Sequence, residues 1–130
     1  MTRATRDQQR ALHAYRCVDR VPEGARADYK THVNSLGSAV LRSGLAAALA
    51  FLQRDREQEA VKLLLEHLAS ARMPGVPLVK GDAFPGEVRA LALGDYMLVT
   101  REVLQLVVWL RRAVQATFGT KEATHVARGA

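Results

Sequence analysis

The stretch YMLVTREVLQLVVWLRRAVQATF, residues 96–118, decides the fold. Val99, Val103, Leu106, Val107, Leu110 and Val114 recur at three- and four-residue intervals, the period of a helix with one buried face. Neither proline nor glycine interrupts the run, so a helix of this whole length is expected. Arg101, Gln105 and Arg112 fall together on the far side, flanked by Val108 and Trp109. The longest apolar run, Leu106 to Leu110, is far shorter than a membrane span requires.

Working outward, the same period appears in three earlier segments. A first helix is expected from Arg3 to Arg20, ended by Pro22-Glu23-Gly24. Its pattern places Ala4, Gln8, Ala11, Leu12, Tyr15 and Val18 on one face and Arg3, Arg6, Arg10, His13, Cys17 and Arg20 on the opposite one. The apolar face is expected to pack, leaving a row of arginines outside. A second stretch runs from Arg26 to Leu52, with Tyr29, Val33, Leu36, Val40, Ala47 and Phe51 as its stripe. After Ser43 it is apolar on nearly every side, which suits the centre of a bundle. Gly37 and Gly44 on its core face imply either close approach of another helix or a break.

Asp55 reads as the cap of a third helix reaching Arg72, with Gln58 reciprocating and Val61, Leu64, Leu65 and Leu68 inside. Residues 73–86 hold three of the four prolines and read as an irregular loop. A short helix, Glu87 to Leu93, then meets Gly94 as its stop, and Asp95 caps the last helix. Residues 121–130 read as a loose tail. The expectation is an all-α, single-domain compact bundle of five or six helices spanning residues 1–130.

Composition narrows the function. Cys17 is the only cysteine, which excludes an intrachain disulfide and a cysteine-rich zinc site and points to a reducing, cytoplasmic home. The net charge of +6 is uneven: +5 over residues 1–54, −2 over 55–100 and +3 over 101–130. Positive charge gathered at both ends of a chain is the footprint of a polyanionic partner, nucleic acid above all. The alternative is solubility in an arginine-rich proteome, since Arg outnumbers Lys 15 to 4.

No catalytic motif emerges. The nine glycines form no phosphate-binding loop between a strand and a helix. His13 and Cys17 stand four apart, as two metal ligands would, but no third ligand accompanies them. No metal or other cofactor is therefore expected. Two Arg-spacer-His matches, Arg6 to His13 and Arg26 to His32, fit a class of small helical ribonucleases; two is about what chance gives in so arginine-rich a chain. The basic stripes remain as candidate contacts to a phosphate backbone: Arg3, Arg6, Arg10 and Arg20 on the first helix, Arg101 and Arg112 on the last. A solvated face ion-paired to Asp7 and Asp19 is the bland alternative. Trp109 beside Arg112 reads as a base-stacking residue or, with Val108, as an anchor at a protein interface.

Beyond these patterns, the sequence resembles the small helical subunit of the type III-B CRISPR effector (Cmr) complex. The resemblance is carried by Ala11 to Val21 with its Ala14-Tyr15, and by Tyr29 four residues before Val33. It continues through Ser43-Gly44-Leu45 running into Ala48-Leu49-Ala50-Phe51-Leu52, then Tyr96, Thr100, Glu102-Val103-Leu104 and Trp109-Leu110-Arg111-Arg112-Ala113. Ser43 stands where the family commonly has an asparagine. The resemblance implies an all-α subunit without activity of its own. Its implied partners are guide RNA and target RNA, the large and backbone effector subunits, and further copies of itself stacked along the complex. No membrane is implied.

Overall fold

The computed structural model describes the backbone of residues 4–129 and the side chains of residues 4–118. Its six α-helices are α1 (Arg6–Asp19), α2 (Arg26–Ser43), α3 (Leu45–Arg54), α4 (Glu59–Ala69), α5 (Phe84–Arg89) and α6 (Leu93–Gly129). Short 3-10 turns at Glu23–Ala25 and Gly81–Ala83 lead into α2 and α5. Among the described residues no β-strand forms beyond an isolated bridge between Met73 and Val76. The expected all-α bundle is what the chain builds.

Local chemistry fixes most boundaries. Thr5 caps α1: its Oγ accepts from Gln8 N at 3.1 Å, and its own N–H donates to Gln8 Oε1 at 2.7 Å. That reciprocal cap starts the helix at Arg6, three residues later than expected. Gly44 divides the expected second helix in two. Its φ of 88° is a conformation that glycine reaches without strain, and α2 closes there with Gly44 N donating to Val40 O at 2.8 Å. The Tyr96 hydroxyl accepts from Ala46 N at 2.9 Å, satisfying one unpaired donor in the first turn of α3. Gly37 serves the other purpose, since a Cβ there would lie 3.6 Å from Val107 Cγ1 where α2 meets α6.

Three further helices depart from their expected boundaries. Asp55 closes α3 instead of capping α4, and α4 begins only at Glu59 because residues 55–58 form a turn, Gln58 N to Asp55 O at 2.9 Å. The short helix starts at Phe84, not Glu87, and takes Pro85 and Gly86 into its first turn, where proline's missing N–H costs nothing. α6 begins at Leu93, so Gly94 and Asp95 sit inside its first turn, and the helix continues to Gly129 through residues expected to form a loose tail.

α6 packs against both α1 and α2, and α4 packs against α2. All six residues of the stripe expected on α6 are buried, as are Val61, Leu64, Leu65 and Leu68 of α4. Of the expected loop at 73–86, only residues 73–80 are irregular, and they are anchored: Met73 is buried, Val76 and Val79 pack on the core, and Gly81 N, in the 3-10 turn that follows, donates to Glu66 Oε2 at 2.7 Å. No helix among the described residues is long and apolar enough to cross a membrane.

Two expected faces are misplaced. α3 is peripheral, not central: Leu45, Ala48, Leu49 and Leu52 are buried, but Phe51 is 55% exposed with Arg54 over its ring. α1 is rotated by roughly a quarter of a turn from its pattern. Ala14, Cys17 and Val18 are buried, whereas Leu12 and Tyr15 are 52% and 42% exposed. The reason lies on α6 and α4, which offer specific partners to Arg10 and His13.

Candidate nucleic-acid interface

Glu102 sits in the apolar stripe of α6, between Val99 and Leu106, and is 8% exposed. A carboxylate so placed requires a cation. Arg10 supplies one with both Nε and Nη2, at 2.7 Å from Oε2 and 2.9 Å from Oε1, and its Nη1 donates to Asp7 Oδ1 at 2.8 Å. Arg6 adds Nη2 at 3.0 Å from Oε1. The hydrogen bond from Arg10 is the main reason the Glu102 carboxyl is held below its ordinary range, and it holds the Arg10 guanidinium above its own. The expected outward row is therefore broken. Arg10 has every guanidinium nitrogen engaged inside the protein, and Arg6 has one engaged and a side chain 60% exposed. Arg3 lies outside the described residues.

The remaining candidates are outside. Arg20, Arg101 and Arg112 are exposed and have no carboxylate partner among the described residues. Arg101, Gln105, Val108 and Arg112 make one continuous exposed stripe on α6. The Arg112 guanidinium lies 4.7 Å from the centroid of Trp109, which is itself half-buried against the core. Val108 is 43% exposed beside it.

Sequence reasoning missed two residues here. Glu102 was legible as a lone acid inside an apolar stripe, a signal that a buried cation must lie opposite. Arg72, just past α4, carries no such signal. It lines an open cleft of about 390 Å³ together with Arg6, Gln9, Arg10, His13 and Glu102.

A second polar cluster lies deeper under α1. Tyr29 is fully buried, and its hydroxyl meets His67 Nδ1 at 2.7 Å; the tyrosine O–H is assigned as donor to a neutral ring. Burial, reinforced by neighbouring His13, lowers the His67 pKa to about 4. Burial likewise raises Tyr29 above its ordinary range and pushes the Cys17 thiol up to about 11. His13 Nε2 donates to the His67 carbonyl at 2.8 Å, with Cys17 Sγ 3.5 Å away. The two Arg-spacer-His pairs fare differently: Arg26 and His32 turn to separate partners, whereas Arg6 and His13 line one cleft but are each bonded elsewhere. Arg26 lies over the Phe118 ring at 5.1 Å, whereas His32 bonds Gln58 Oε1 at 3.0 Å; Arg6 turns to Glu102, whereas His13 turns to His67.

Comparison with known proteins adds to this geometry. A family profile described as "CRISPR-associated protein (Cas_Cmr5)" matches residues 6–117. Among solved structures, the fold is similar to that of a CRISPR-associated Cmr5 family protein from Thermus thermophilus. The two share 33% identity and a TM-score of 0.72 over 87% of this chain and 97% of the other. No curated protein sequence matches.

Proposed function

The chain belongs to the Cmr5 family of CRISPR-associated proteins, the small subunits of the type III-B effector complex, and from that premise we propose that it contacts guide or target RNA without catalysing a reaction. The observation that carries this reading is the exposed α6 stripe of Arg101 and Arg112, with Arg20 on α1 and the open edge of Arg6, all facing solvent. Guanidiniums of this kind neutralise phosphates and release counterions, which gives affinity without reading sequence. Trp109, with Arg112 over its ring, adds a flat surface beside the stripe. The subunit works in a reducing cytoplasm, stacked with further copies of itself against the large and backbone subunits.

The test uses the assembled complex. Replacing Arg101 and Arg112 by Ala should weaken capture of target RNA. The salt dependence should flatten by about 0.7 for each phosphate that is no longer neutralised on a single strand, nearer 0.9 on duplex. Unchanged capture at every salt concentration removes α6 from the RNA path. The isolated chain should leave RNA uncut; cleavage abolished by His32→Ala would overturn the non-catalytic reading.

One observation favours a second reading, a protein–protein adaptor. Ala4, Gln8, Ala11, Leu12 and Tyr15 line a shallow, mostly apolar groove on the outer face of α1. Crosslinks to neighbouring subunits but none to RNA would favour it.

A further inference from the structure

We propose that the cleft between α1, the end of α4 and α6 is a seat for one phosphate group, gripped by Arg6 and Arg72, with Glu102 as the residue that positions Arg6. Its natural ligand, a backbone phosphate of RNA, rests on the function proposed above; the seat itself is a claim about an anion.

The charge arithmetic favours an anion. Among the residues lining the cleft, Glu102 is the one acid, against Arg6, Arg10 and Arg72. Its carboxylate is already bonded by two guanidiniums within 3.0 Å, so that trio is net positive, and Arg72 adds a further charge. Asp7, on the outer edge of Arg10, subtracts one but is 62% exposed and so well screened. The cleft is open and roomy, so a phosphate within a longer chain can enter as well as a free one.

The donors are divided in a way that suits a ligand. Arg10 is closed, because Nε, Nη1 and Nη2 all have carboxylate acceptors. Arg6 is fastened at one nitrogen only, by Nη2 to Glu102, and its Nε and Nη1, which point to different sides, have no acceptor among the described residues. A guanidinium already held at one nitrogen loses less freedom on binding than a loose one. Arg72 has no partner among the described residues and lines the same cleft, and Gln9 offers an amide beside Arg6. Phosphate, with several charged acceptor oxygens, matches two separate guanidiniums better than a single carboxylate does.

Side-chain NMR of the ¹⁵N-labelled full chain tests the seat, with inorganic phosphate in one titration and a single-stranded oligouridylate in another. Arg6 and Arg72 Nε–H resonances should shift together and saturably in both, and added phosphate should compete with the oligonucleotide. Arg72→Ala alters an exposed side chain and should bind phosphate roughly tenfold more weakly without loss of folding. Glu102→Gln separates positioning from net charge. Removing an acid should tighten binding if charge alone matters, whereas loss of the Arg6 anchor should weaken it. Wild-type phosphate affinity in both Arg6→Ala and Arg72→Ala would overturn the seat, and tighter binding by Glu102→Gln would overturn the positioning role. Phosphate binding without oligouridylate competition would remove RNA as the ligand here and leave the proposed function resting on α6.

Discussion

Two polar clusters lie under α1, and they satisfy their buried atoms by opposite means. Near the start of the helix, Arg6 and Arg10 together neutralise the carboxylate of Glu102. Farther along, burial keeps Cys17, Tyr29 and His67 uncharged, and hydrogen bonds alone tie them and His13 together. The difference teaches where each fails. A paired carboxylate resists acid because its partners favour the ionised form, whereas a buried imidazole has no anion to welcome its proton. The same helix therefore has one seam that endures falling pH and one that does not.

The largest effect should come from breaking the charged cluster on one side. Glu102→Ala leaves Arg10 sheltered without its main acceptor, and removing one member of a buried pair typically costs about 3–5 kcal/mol. Urea denaturation should show it. Adding Arg10→Leu to that variant should recover part of the loss, because the stranded charge is gone. Equal losses in the single and double variants would mean that Arg10 relaxes onto Asp7 and that the seam matters less than its geometry implies.

The neutral cluster should reveal itself through pH. His67 has a folded pKa of about 4 against an ordinary 6.5, so between those values the unfolded chain binds a proton that the folded chain refuses. Stability from this group is complete above pH 6.5 and is lost as pH falls toward 4, by on the order of 3 kcal/mol in total. Glu102 acts at lower pH: its depressed carboxyl contributes stability above the ordinary carboxylate range that is lost only as pH falls through its folded value. His67→Gln should flatten the upper part of the acid limb and leave the lower part. An unchanged slope in that variant would assign the upper limb elsewhere. A smaller loss, about 1–3 kcal/mol, should follow Tyr29→Phe, which leaves His67 Nδ1 without a donor while keeping the ring that meets Phe118.

These clusters also explain how much could be read in advance. α4 and α6 were legible because their apolar periods are strong and every residue of their expected stripes is buried. Gly37 and Gly44 were legible as a pair of alternatives, contact or break, and the chain uses both. The loop was legible as irregular over residues 73–80, but not that the chain would turn helical again before residue 86 or that Gly81 would press against Glu66. α1 was not legible in its orientation. A period shows which residues share a face, but a face holding Arg10, His13 and Cys17 can be buried when Glu102 and the His67 carbonyl stand opposite, and those partners are far away in sequence. For the same reason the arginines of the candidate interface separated only in three dimensions, Arg10 going inward, Arg6 half-fastened, and Arg72 arriving from the segment after α4.

The smallest expected effect tests that orientation most directly. If α1 were set by its apolar pattern, Leu12 would belong to the core and its replacement by a small polar residue would cost about 2–5 kcal/mol or more. With Leu12 52% exposed, Leu12→Ser should stay within about 0.5 kcal/mol of the parent. Val18→Ser, about one and a half turns on and fully buried, should cost several times more, since it removes packed methyl groups and buries a hydroxyl. The contrast is read from two denaturation midpoints. A costly Leu12→Ser would return α1 to its pattern-based setting, unfasten Arg10 from Glu102 and dissolve the phosphate seat with it. A silent Leu12→Ser that nevertheless impairs assembly with neighbouring subunits would assign the outer face of α1 to a protein contact, with the arginine cleft left free for RNA.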